Sequence, residues 1–115
     1  MNELTGEQVL LRIFIGESDK HDGKPAYQWI VEKLRHEKIS GATVLRGITG
    51  FGANSHIHTS NILRLSQDLP IVIEIVDTEE NINRVLPLIE PSLGNGMITM
   101  EKVKVLRYGA LKEKT

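Results

Sequence analysis

Val9, Leu11, Ile13 and Ile15 take every second position, with Leu10, Arg12 and Phe14 between them, a period of two that predicts a β-strand. The polar run GESDKHDGK follows as a loop, and Pro25 stands where a first helical residue tolerates the missing N–H. Tyr27, Ile30, Val31 and Leu34 then recur at i, i+3, i+4 and i+7, the apolar stripe of an amphipathic helix, with Ser40-Gly41 as its expected end. The run ATVLRGI is rich in β-branched residues and predicts a second strand, while the glycine-rich, histidine-bearing stretch after it follows neither period. LPIVIEIV predicts a third strand. Asp77 or Thr78 is placed to cap a second helix with the stripe Ile82, Val85, Leu86 and Ile89, in which Pro87 predicts a kink or an early end. Gly94-Asn95-Gly96 reads as a turn and MITMEKVKVLRY as the last strand. The order β-α-β-β-α-β predicts an α+β fold of the ferredoxin-like, split-βαβ kind.

In that arrangement both helices cover one face of the sheet, which Val9, Leu11, Ile13, Ile15, Ile71, Ile73 and Ile75 supply. The other face then carries Leu10, Phe14, Val72 and Val76, interrupted by Arg12, Glu74 and, on this reading, Arg46. An open apolar patch on a small protein marks an interface, so self-association is expected. The alternative is a solvated face with ordinary cross-strand ion pairs.

Composition narrows the function classes. The 115 residues suit one domain over 1–115, with an ordered core at about 7–109 and tails at 1–6 and 110–115. A net charge of −1 gives no basic footprint for nucleic acid or an anionic membrane surface. No stretch approaches the roughly 18 apolar residues of a membrane helix, and MNELTGEQ lacks the apolar core of a signal peptide, so a cytoplasmic protein is expected. The absence of cysteine excludes disulfides, thiolate catalysis and cysteine-zinc sites. There is no GxxxxGK[ST] loop, and Ser18, Ser55 and Ser60 have no nucleophile-elbow context, so catalysis is not indicated.

Four separated segments carry a family resemblance. ISGATVLRGITGFGANSHIHT resembles the second strand and the approach to the T-loop of PII signal-transduction proteins, with Gly41, Thr43, Val44 and Gly50-Phe51-Gly52 in matching order. LPIVIEIV resembles the strand after that loop, and Gly94-Asn95-Gly96 the Gly-Asp-Gly of the PII B-loop. GESDKHDGKP, GITGFG, SHIHT and RLSQDLP are similar to a PII-like family, domain of unknown function 190. The resemblance implies a homotrimer holding an adenine nucleotide in its subunit clefts, with a T-loop-like segment acting on a partner protein, by analogy an ion channel or transporter.

The residues also support an anion site directly. Glycine-rich turns let backbone N–H groups approach a phosphate, and two are present, Gly47, Ile48, Gly50, Phe51 and Gly52 in one and Gly94, Asn95 and Gly96 in the other. Arg46 and Arg107 would add charge; Arg107 resembles a nucleotide-binding arginine at the end of the last PII strand. Two departures lower the positive charge: Met97 stands where PII proteins carry a basic residue, and Val105 replaces a second arginine. Fewer fixed donors favour AMP or ADP over ATP, with cyclic AMP a further option and no cofactor required. No tyrosine lies between Gly52 and Leu69, so uridylylation does not carry over. The rival reading is a divalent metal held by the His56/His58 pair with His21 or Asp19, in the manner of the cation-tolerance proteins that share the trimeric architecture.

Overall fold

The computed structural model describes residues 4–52 and 68–109. Its main sheet has four antiparallel strands in the order β4-β5-β1-β6, from β1 (Gly6–Gly16), β4 (Thr43–Arg46), β5 (Pro70–Asp77) and β6 (Met97–Val105). Helices α1 (Ala26–His36) and α2 (Glu79–Ile89) complete the ferredoxin-like βαββαβ pattern expected from the periodicities. The core lies between the helices and one sheet face. Val9, Leu11, Ile13 and Ile15 of β1 and Ile71, Ile73 and Ile75 of β5 are buried against Ile30, Leu34, Ile82, Val85 and Ile89. No described helix is long and apolar enough to cross a membrane.

The polar loop after β1 holds an element that the hydrophobic pattern misses. Lys20–His21 (β2) and Lys24–Pro25 (β3) form a small hairpin closed by Asp22 and Gly23, both at positive φ (52° and 78°). Asp-Gly is a strong two-residue hairpin signal, but no alternating apolar flanks accompany it here. Pro25 stands at the N-cap position just outside α1 instead of as its first helical residue, and makes no side-chain capping bond.

Helix α1 ends before the expected Ser40-Gly41 stop, at His36. Lys38 takes the left-handed conformation (φ 65°), its N–H donates to Arg35 O at 3.0 Å, and that of Ile39 to Leu34 O at 3.1 Å. This is a Schellman cap with lysine where glycine is usual. Lys38→Gly is therefore expected to stabilise the fold by about 0.5–1 kcal/mol, because relief of left-handed strain outweighs the added freedom of the unfolded chain. A raised urea midpoint checks it.

Helix α2 starts as the sequence suggests. Thr78 Oγ1 accepts from Asn81 N at 3.1 Å, and acidic Glu79 and Glu80 fill the first turn. Pro87 does not end the helix, which continues to Ile89 and then tightens into a 3-10 turn at Glu90–Ser92.

Candidate functional site

Strand register decides where each candidate residue stands. Leu10 faces Val76, Arg12 faces Glu74 and Phe14 faces Val72 across β1 and β5, so these six share the sheet face away from the helices. On that face Arg12 donates from Nε to Glu74 Oε2 and from Nη1 to Glu101 Oε2, both at 2.9 Å. The hydrogen bonds to Glu74 and then Glu101 hold the guanidinium pKa above its ordinary value. The cross-strand ion pairing that the sequence offered as the alternative to self-association is present within one chain, and Glu101, unforeseen, makes it a triad. Leu45 at 48% exposure and Met97 at 54% extend the apolar part of the face toward both edges.

Arg46 does not belong to that face. It pairs with Ile71, whose side chain points into the helix-covered core, so Arg46 projects on the helix side of edge strand β4. There its Nη1 donates to Glu17 Oε2 at 2.7 Å. In a strand with Val44 and Leu45 adjacent, both phases of the alternation carry one apolar side chain, and only pairing with β5 selects between them.

The first glycine-rich turn leaves the end of β4 against the start of β5. Gly47 N donates to Pro70 O at 2.8 Å, and a Cβ on either Gly47 or Gly50 would stand 3.0 Å from Pro70 Cγ. Gly50 has φ +149°, and Ile48 and Phe51 project into solvent at 83% and 65% exposure. The second turn precedes β6. Gly94 has φ +56° with open space where a Cβ would go, whereas a Cβ on Gly96 would lie 2.7 Å from Phe14 O and 2.8 Å from Ile15 Cγ2. An open hollow of about 480 Å³ lies beside this turn, lined by Pro87, Glu90, Pro91, Leu93, Gly94 and Gly96. Its lining has a carboxylate and no cation, so it offers an anion only backbone N–H groups.

Both turns lie at the same end of the sheet, because Gly16 pairs with Pro70 and Phe14 with Met97. They occupy opposite edges, three strand spacings or about 14 Å apart. Arg107 lies two residues beyond Val105, the other end of β6, which is itself about 27 Å along the strand from Met97. The segment after β6 is held there by Tyr108, whose hydroxyl donates to Ser40 O at 3.1 Å. One chain thus leaves the two turns and Arg107 in three separate places.

The metal candidates are divided. His56 and His58 lie outside the described residues. His21 sits in the β2-β3 hairpin with its ring edge-on to Trp29 at 4.5 Å and its Nε2 3.8 Å from Asp22 Oδ2. Among the described residues no group of three or more His, Cys, Asp or Glu is arranged to hold a metal ion.

Residues 8–105 match the DUF190 family, described as "Uncharacterized ACR". The chain belongs to this family. It is 46% identical over 99 residues to the UPF0166 protein MJ1524 of Methanocaldococcus jannaschii, covering 85% of this chain and 91% of the relative. It is 41% identical over 100 residues to a UPF0166 protein of Aquifex aeolicus, covering 87% and 94%. Among solved structures, the fold is similar to CPII of Thiomonas intermedia K12, described as bound to ADP and bicarbonate, with a TM-score of 0.65, 18% identity and coverage of 88% and 90%. It is also similar to a putative PII-like signaling protein (TTHA0516) of Thermus thermophilus, with a TM-score of 0.60, 18% identity and coverage of 88% and 91%. At these identities the likeness establishes a shared PII-like fold.

Proposed function

We propose that this DUF190 chain is a PII-like regulatory protein that binds an adenine nucleotide between subunits of a homotrimer. The observation that carries the reading is the placement of the two glycine-rich turns at one end of the sheet on opposite edges, where neighbouring copies can bring one of each together. The fold likeness to CPII supports it, since that protein is described with ADP and bicarbonate and, in a second structure, with ADP, AMP and bicarbonate. AMP or ADP is the preferred ligand. Arg46 is the sole cation among residues 46–52 and is partly neutralised by Glu17, while exposed Met97 brings no charge to the start of β6.

The proposed role is ligand-responsive binding and not catalysis, in the cytoplasm. The nucleotide acts by biasing residues 50–67 between states with different affinity for a protein partner, for which an ion channel or transporter is the proposed class.

Calorimetry with AMP, ADP, ATP, cyclic AMP, bicarbonate and zinc tests the proposal. AMP or ADP should bind without added metal and should slow hydrogen exchange in residues 50–67. Zinc binding with no nucleotide response would overturn it. For the assembly, light scattering should give a trimer. Glu74→Lys should shift the protein toward monomer, because it places a second cation beside Arg12 in the middle of the open face. A wild-type monomer at micromolar concentration would refute the trimer.

A further inference from the structure

Glu17 has no place in the glycine-turn site expected from the sequence, yet it holds Arg46, the cation of that site. Its position is fixed by the chain around it. Glu17 N donates to Leu69 O at 2.7 Å, Gly16 N to Asp19 Oδ2 at 3.0 Å, and Ser18 Oγ to Asp68 Oδ1 at 2.8 Å. The Asp68 carboxylate also packs closely over Gly16, in the space that a Cβ there would need. The Glu17 side chain is 23% exposed, whereas that of Arg46 is 53% exposed. The carboxylate is therefore the fixed partner and the guanidinium the one free to swing. The pair also rests on a single bond: Arg46 Nη1 meets Glu17 Oε2, and the buried Glu17 Oε1 accepts no hydrogen bond among the described residues. A one-bond pair leaves most of the arginine's donors unspent and is weaker than a bidentate one.

We propose that Glu17 is an internal competitor for the anion that Arg46 receives, and so sets both the affinity of the site and its selection by ligand charge. In the empty site the carboxylate occupies Arg46. A ligand phosphate carries more charge and more acceptor oxygens than a carboxylate, so it can take the guanidinium from Glu17. A neutral nucleoside gains nothing from Arg46 and leaves the pair intact. Glu17 is on this account a positioning residue that acts through Arg46, and the inference rests on the reading that residues 46–52 meet a phosphate.

Calorimetry of the full chain with AMP, ADP and adenosine tests it in wild type, Glu17→Gln and Glu17→Gln/Arg46→Gln. Glutamine keeps the shape and removes the competing charge. AMP and ADP should bind Glu17→Gln about three- to tenfold more tightly, in the range of the net worth of one hydrogen bond. Adenosine affinity should not change, and the double variant should lose the gain. Should Glu17→Gln fail to fold, Glu17→Ala carries the same comparison. Unchanged AMP and ADP affinity, or an equal gain for adenosine, overturns the competitor role while the nucleotide reading stands. Absence of AMP and ADP binding in both wild type and Glu17→Gln overturns both.

Discussion

Gly96→Ala is expected to destabilise the fold by roughly 3 kcal/mol, at the upper end of overpacking costs, while Gly94→Ala costs only about 1–2 kcal/mol. The two glycines share one turn but are required for different reasons. At Gly96 the added Cβ would meet Phe14 O at 2.7 Å, Ile15 Cγ2 at 2.8 Å and Leu93 O at 3.1 Å. Two of those three atoms are backbone oxygens, one in the central strand β1, and neither can move without disturbing the sheet or the turn. At Gly94 nothing lies within 4 Å, and the cost is the left-handed conformation alone. Urea unfolding of both variants checks the contrast, and equal midpoints would refute it. The consequence for ligand work is direct. Weakened binding in Gly96→Ala would reflect a distorted turn, so Gly94→Ala is the variant that probes phosphate approach on an intact scaffold.

Asp77→Ala is expected to cost about 2–4 kcal/mol, because it leaves several donors without their acceptor at once. Asp77 is 3% exposed and ends β5 at the sheet end remote from the glycine-rich turns. Its Oδ1 accepts from Thr78 N at 2.7 Å and Asn81 Nδ2 at 2.8 Å, and its Oδ2 accepts from Ser40 N at 2.8 Å. One carboxylate thereby fixes the start of α2 and the chain leading into β4, where Ser40 Oγ also donates to Val76 O. Asp77→Asn should recover only part of the loss. All three partners are donors, so the amide NH2 must face one of them, and the charge favoured at the α2 N-terminus is gone. A thermal or urea midpoint for Asn at or above that of wild type would show that the acceptor pair is not what holds this corner.

Much of this architecture is legible in the sequence because burial here follows simple periods. The isoleucines of β1 and β5 mark the helix-covered face without ambiguity, and the stripe of α2 beginning after Thr78 matches the buried Ile82, Val85 and Ile89. The glycine turns are legible as turns, and the separated motifs point to the family that residues 8–105 match. Sequence reasoning fails where the local pattern is degenerate. Four-residue β4 has no resolved phase, so its pattern admits Arg46 on the open face, whereas the residue lies on the other. Edge strand β6 is largely exposed on both faces, which hides Glu101 as the second partner of Arg12. The nearest glycine marks the end of α1 in the sequence, but the helix stops where Lys38 can take positive φ and Ile39 can be buried.

Spacing and residue type alone give the order of elements, the core face of each long element and the absence of thiol chemistry. Tertiary structure decided which side chains meet. Glu17 and Arg46 are 29 residues apart, and Arg12 and Glu101 are 89 apart. No periodicity encodes such pairs, because they arise from strand order and register, which the whole sheet fixes together. The same holds for Gly96, whose missing side chain matters through the approach of Phe14 O from the far end of the chain. The pairing of Phe14 with Met97 is what brings that oxygen to the turn.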